Sequence, residues 1–167
     1  MAFYEYLKSH AEKDPNHAAI IEGDCTISYK EFCVQIESFA SAISELPLNA
    51  KSKVGLLCLN QKEYLIALFG SLLKGIPVIP YNFLLKPEDL AFITKDASID
   101  ILIIDSAFVK PEVIPFFNFF PHKILVGSAE PDQVGEGTQR FEDFLKCGIK
   151  ENAFVKHKRE TGIPDVI

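Results

Sequence analysis

The spacing of apolar residues changes near Lys53, and the change divides the chain into two kinds of structure. Upstream, Phe3, Tyr6, Leu7 and His10 recur at helical spacing and predict a short amphipathic helix over Phe3–Lys13. AAII and CTI then flank Glu22-Gly23-Asp24, the pattern of a small hairpin with a tight turn. Ser28 and Glu31 have the spacing of a capping box, in which hydroxyl and carboxylate each satisfy an orphan backbone N–H. The helix they open carries Phe32, Ile36, Phe39, Ile43 and Leu46 in one stripe, and Pro47 marks its end.

From Lys53 onward, apolar residues come in uninterrupted runs separated by helical segments. VGLLCL (54–59), PVIPY (77–81), IDILIID (99–105) and KILVG (123–127) read as strands, the longest runs being those of strands covered on both faces. Lys62–Lys74 is apolar almost all round and is expected to be a deeply buried helix, with Gly75 after its C-cap and Pro77 preventing continuation. Pro87, followed by Glu88 and Asp89, starts another helix that reaches Ala97, and FEDFLK (141–146) is a short final one. The order β-α-β-α-β-x-β predicts the α/β class: a parallel sheet with right-handed crossovers and helices on both faces. The x segment, FVKPEVIPFFNFF, places Val109, Val113, Phe116, Phe117 and Phe120 at helical spacing, interrupted by Pro115. A kinked helix covering the sheet edge is preferred for it over a membrane-contacting wedge. Glu130–Gln139 reads as the loosest loop. The chain thus divides into 1–50 (helix, hairpin, long helix), 51–147 (parallel β/α unit) and 148–167 (linker and the start of a next strand).

Composition narrows the function classes. The 167 residues are 48% apolar and 24% charged, enough for one domain or subdomain with a sizeable core. A net charge of −6 argues against nucleic-acid binding, and KHKR (156–159) reads as a solvated linker segment. Cys25, Cys33, Cys58 and Cys147 have no CxxC spacing and read as free thiols in a reducing, cytoplasmic setting. Cys58, inside LLCLN with no His nearby in sequence, reads as core rather than nucleophile. His10, His17, His122 and His157 form no ligand pair, so no metal site is expected. No run is long enough for a transmembrane helix, and the N-terminus lacks the apolar region of a signal peptide.

Open α/β sheets bind ligands at the carboxyl ends of their strands. After the first parallel strand stands NQKEY, without a GxGxxG fingerprint, and no GxxxxGK[ST] loop occurs. GEGT (135–138) is Gly-rich but lacks Lys and precedes only a short helix, which makes it a weak phosphate-loop candidate. Asp105 ends the third strand, yet an acidic pocket would need acids after the first strand too, where Asn60 stands. No Ser-His-Asp or paired-carboxylate spacing is present. From these residues alone the chain is an α/β domain without catalytic groups of its own.

Several stretches together resemble the adenylate-forming, or AMP-binding, ligases, in particular their fatty acyl-CoA synthetase branch. ISYKEF (27–32) is similar to the family's Thr-Tyr-x-Glu-Leu helix start. KVGLLCLNQKEYLIALFGSLLKGIPVIPYNFLLKPEDLAFITKDASIDILI (53–103) is similar to its strand, Asn, helix, Lys/Ala-Gly, Pro-x-x-Pro, Asn, Leu-x-x-x-Glu-Leu and Asp-Ser run. The resemblance covers residues 3–105 and extends over 106–167 only as architecture. The chain departs from it at Lys51-Ser52-Lys53, where the family often has Gly-Asp or Gly-Glu, and at Leu46-Pro47 in place of Leu-Gly.

The resemblance implies the N-terminal subdomain of a larger ligase. DVI (165–167) looks like the first half of the strand that leads, in that family, into the Ser/Thr/Gly-rich loop around the ATP phosphates. It implies a parent that joins a long-chain fatty acid to CoA with ATP and Mg²⁺, releasing AMP and pyrophosphate, so this piece alone is expected to be inactive and to hold no cofactor itself. Implied partners are the rest of the parent chain, including a mobile C-terminal domain, with a cytoplasmic location that can be peripheral to a membrane. A cut sheet edge implies self-association. Asn60, Tyr81 and Asn82, at carboxyl ends of the first two parallel strands, are the substrate-side candidates. The plain alternative is that each Asn bonds its own loop and Tyr81 caps the core. A different class also fits the residues: a stand-alone, non-catalytic α/β binding or interaction module.

Overall fold

Ser28 opens the longest described helix through the expected capping box. Its hydroxyl accepts from the Glu31 N–H at 3.2 Å, and its own N–H donates to Glu31 Oε2 at 2.9 Å. The Ser28 N–H, with the Ser28 hydroxyl donating to the same oxygen at 2.7 Å, holds the Glu31 carboxyl below the usual carboxylate range. The computed structural model describes residues 2–149. KHKR (156–159) and the expected strand start at 165–167 lie outside them.

In chain order the elements are α1 (Ala2–Lys13), β1 (Ala18–Glu22), β2 (Cys25–Ser28), α2 (Tyr29–Ile43), β3 (Val54–Leu57), α3 (Lys62–Leu73), β4 (Val78–Pro80), α4 (Pro87–Ala97) and β5 (Ile101–Asp105). A 3₁₀ turn at Ser106–Phe108 leads on to α5 (Ile114–Phe117), β6 (His122–Val126), α6 (Pro131–Val134), β7 (Thr138–Arg140) and α7 (Phe141–Gly148). β1 and β2 form the antiparallel hairpin. The other five strands make one parallel sheet in the order β4-β3-β5-β6-β7.

Strand pleat sorts the core into two layers. Val54, Leu56, Ile101, Ile103, Ile124 and Val126 face α1, α2, α3 and α7. Leu57, Leu102, Ile104 and Leu125 face α4, α5 and α6. Every residue of β3 and β5 is buried, which is why their sequences lack alternation. The fold is therefore the expected α/β sheet with helices on both faces.

Four expectations need correction. The buried line of α1 is Tyr4, with Leu7 and Ala11 against the core, whereas Tyr6 is 69% exposed. Tyr4 can go inside because Glu37 Oε1 accepts its hydroxyl proton at 2.5 Å. Helix α3 is only half sunk: Ile66, Ala67, Gly70 and Ser71 are fully buried, and it flanks the edge strand β4. Pro115 does not interrupt a helix; it occupies the first turn of α5, where its missing N–H costs nothing. Phe116, Phe117 and Phe120 then cover a face of the sheet rather than its edge. The expected loose loop Glu130–Gln139 contains α6, with a reciprocal Glu130–Gln133 cap, and the start of a fifth parallel strand.

Candidate functional site

From β3 the chain passes to β4 on one side, then crosses to β5 on the other. Strand order reverses between β3 and β5, and their carboxyl ends border the crevice where open α/β sheets place ligands. Leu59, Asn60 and Gln61 leave β3 there, Tyr81 and Asn82 leave β4, and Asp105 ends β5.

Gln61 occupies the N-cap position of α3 but makes no side-chain cap. Its Nε2 donates instead to Asp105 Oδ2 at 2.7 Å. The Ala107 N–H donates to the other oxygen, Oδ1, at 2.8 Å. Asp105 is only 6% exposed, so both bonds offset the cost of burying a carboxylate. The Lys62 N–H, at the start of α3, donates to Glu22 Oε2 at 3.1 Å. A helix N-terminus is a natural anion site, and here one of its amides already holds a carboxylate of the hairpin.

The three expected site residues have different surroundings. Tyr81 is 6% exposed, and its ring lies so close over β3 that a Cβ on Gly55 would collide with it. Its N–H donates to the Leu56 carbonyl at 2.8 Å, its hydroxyl shares a 2.5 Å bond with Thr94 Oγ1, and its ring meets Phe116 edge-on at 5.8 Å. Asn82 is exposed; its Oδ1 accepts the Leu84 N–H at 3.0 Å, closing a turn on its own loop. Asn60 is exposed as well, and its side chain bonds to no described residue. Around them the rim is apolar: Leu59 and Phe83 are about half exposed, Leu84 is 81% exposed, and Phe83 stacks on Phe108 at 5.6 Å.

Burial pushes the Tyr81 phenol up to about 12, and the Thr94 bond opposes the shift. A raised folded-state pKa means that the fold favours the protonated phenol. That contribution is complete below the unfolded value near 10 and is lost as pH rises through about 12. In an alkaline titration followed by phenolate absorbance, Tyr81→Phe is expected to remove signal only from the late step, the one coincident with unfolding. Loss of signal from the early step instead would show that the phenol is solvent-accessible.

Cys58 is buried, and its thiol donates to the Ile103 carbonyl at 3.5 Å. Burial first, then the charges of Asp105 and Glu63, push this thiol well above the ordinary range, which disfavours the thiolate that a nucleophile needs. GEGT serves the sheet. Gly135 and Gly137 take positive φ, the Gly137 carbonyl accepts the Lys123 N–H at 3.1 Å, and Thr138 begins β7. A hollow of about 580 Å³ lies at the hairpin and α2, lined by Asn16, Thr26, Glu31 and Gln35 among others, and includes none of the crevice residues. Among the described residues no group of three or more His, Cys, Asp or Glu is placed to hold a metal ion, and no helix is long and apolar enough to cross a membrane.

Sequence spacing located Asn60, Tyr81 and Asn82 at strand exits. The Gln61–Asp105 bond was not legible, because its partners are 44 residues apart and neither belongs to a motif.

Comparison with known proteins agrees with this geometry. A family model described as AMP-binding enzyme matches residues 7–145. Bacitracin synthase 1 of Bacillus licheniformis is 28% identical over 102 residues, 61% of this chain and 2% of that protein. Fatty acyl-CoA synthetase B of Dictyostelium discoideum is 24% identical over 149 residues, 84% of this chain and 22% of its own length. The crystal structure of the anthranilate CoA ligase AuaEII in complex with anthranoyl-AMP superposes with a TM-score of 0.72 at 21% identity, covering 86% of this chain and 27% of that one. The chain thus spans about a quarter or less of the length of these three relatives.

Proposed function

The chain belongs to the AMP-binding enzyme family, and we propose that it is the N-terminal scaffold of an ATP-dependent acid–thiol ligase acting on a long-chain fatty acid and CoA. The observation that carries this is the family match over residues 7–145, on a parallel sheet with the fold of an acyl-CoA ligase. The similarity to Fatty acyl-CoA synthetase B over 149 residues, 84% of this chain, supports the fatty acid and CoA reading.

The reaction has two displacements. The fatty acid carboxylate attacks the α-phosphorus of ATP; a C–O–P anhydride forms and pyrophosphate leaves. The CoA sulfur then attacks the acyl carbon; a thioester forms and AMP leaves. The two phosphate-loop candidates among the described residues are already in use: the Lys62 amide at the start of α3 holds Glu22, and GEGT is built into the sheet. In this reading ATP, Mg²⁺ and CoA are held by the rest of the ligase. Residues 2–149 supply one wall of the crevice, with Asn60 on the ligand side, Tyr81 beneath it and Asn82 shaping its loop. The apolar rim of Leu59, Phe83 and Leu84 faces the remainder of the ligase.

The test uses the ligase that contains this sequence. Fatty acid should drive exchange of pyrophosphate into ATP, and added CoA should then yield the thioester. Exchange driven by other acids only, or exchange without thioester, overturns the fatty acid or the CoA half of the proposal. Residues 1–167 alone should release no pyrophosphate above blank, and release by them would place a phosphate site inside this chain. A transcript that stops naturally after Ile167 would favour the stand-alone module.

Within that ligase, Asn60→Ala is expected to lower kcat/KM about tenfold or more at unchanged melting temperature, because its amide has no structural bond to lose. Asn82→Ala removes the acceptor for the Leu84 N–H and should lower stability by about 1 kcal/mol while activity changes little. Steady-state kinetics and thermal melts on both variants separate the two roles; an inverted result would exchange them.

A further inference from the structure

The start of α3 is held on two sides. Glu22 of the hairpin takes the backbone N–H of Lys62 at 3.1 Å, and Asp105 of β5 takes the side chain of Gln61 at 2.7 Å. N-cap positions favour Ser, Thr, Asp or Asn, whose side chains cap the helix. Gln61 is none of these and does not cap; its amide spans the strand-order reversal instead. Asp105 keeps its second oxygen on Ala107 N–H, so one buried carboxylate ties the exit of β3 to the turn that follows β5. Asn60, the residue just before Gln61, has no bond to any described residue.

We propose that the Gln61–Asp105 bond is a positioning clamp for the carboxyl-end crevice, fixing the loop that carries Asn60 against β5. Gln61 and Asp105 are positioning residues, acting through that loop. The consequence for catalysis rests on the ligase reading above; the clamp itself does not.

The bond has a donor–acceptor logic that variants can invert. Gln61→Met keeps the length and removes the donor, stranding a buried carboxylate oxygen. Gln61→Glu at pH 8 sets two carboxylates against each other. Gln61→Glu with Asp105→Asn restores one donor and one acceptor: the Asn amide donates to the new carboxylate while its carbonyl oxygen still accepts from Ala107.

The experiment is hydrogen exchange on this 167-residue chain, read at residues 59–62. Gln61→Met and Gln61→Glu should each speed exchange there about tenfold or more, with α2 and β5 unaffected, and the double variant should return it to within about threefold of wild type. Wild-type exchange in both single variants, or a double variant no slower than Gln61→Glu, overturns the clamp. If Gln61→Met unfolds the chain, the comparison of Gln61→Glu with the double variant still decides. In the ligase, the single variants should raise KM for the acid more than they lower kcat, and the double variant should recover it. Absence of acid-driven exchange in the wild-type ligase would overturn the ligase reading and leave the clamp to be judged by hydrogen exchange.

Discussion

Phe39→Ala is expected to destabilise the fold by about 3–5 kcal/mol. The ring is 0% exposed and joins three helices. It stacks on Phe141 at 5.7 Å and meets Phe144 edge-on at 5.2 Å, both on α7, and it lies over Gly70 of α3. Truncation removes the apolar area and both aromatic contacts, and it leaves a cavity that backbone on three sides cannot fill. Urea unfolding should show a lower midpoint at an unchanged m-value. A loss under about 1.5 kcal/mol would mean that the three helices collapse onto the space, a softer packing than these distances describe.

Gly70→Ala is the second, and its sign is the informative part. In an exposed helix interior this change is worth about 1 kcal/mol in favour of Ala. Here a Cβ would come within 2.6 Å of Phe39 Cδ1 and 3.1 Å of the Ile36 carbonyl oxygen. Overpacking of that kind costs about 1–3 kcal/mol, so a net destabilisation of about 1–2 kcal/mol is expected. The same Ala placed in the Phe39→Ala background should lose part of its penalty, because the ring carbon at 2.6 Å is gone while the Cβ of residue 39, at 2.9 Å, remains. A double-mutant cycle measured by urea unfolding checks this. Simple additivity would show that the two sites do not share the contact.

Both predictions concern the junction of α2, α3 and α7, and the sequence reveals that junction unevenly. The stripe Phe32, Ile36, Phe39, Ile43 predicts which side of α2 is buried, and that side is buried. The near-continuous apolar surface of α3 carries no such directional signal. Its deep burial was expected and only half realised, since a helix beside an edge strand lacks neighbours on its outer side. The crevice shows the same division. Strand ends follow from the apolar runs, so Asn60, Tyr81 and Asn82 could be set at its rim. Whether each side chain bonds inward, to its own loop, or to no described residue depends on Thr94, Leu84 and Phe116, partners that no local spacing announces.

What the sequence determined by itself is what short-range physics decides. The Ser28–Glu31 cap closes within three residues, Pro87 starts its helix by its own ring, and uninterrupted apolar runs alternating with helical segments admit a parallel sheet covered on both faces. The tertiary structure alone decided three further things. A fifth strand, Thr138–Arg140, forms from a polar triplet because an edge strand needs only the backbone bonds of β6 beside it. Tyr4 rather than Tyr6 turns inward because Glu37, on another helix, satisfies its hydroxyl. Gln61 makes no side-chain cap because a buried carboxylate on Asp105 is the stronger hydrogen-bond partner, and the fold alone carries it there.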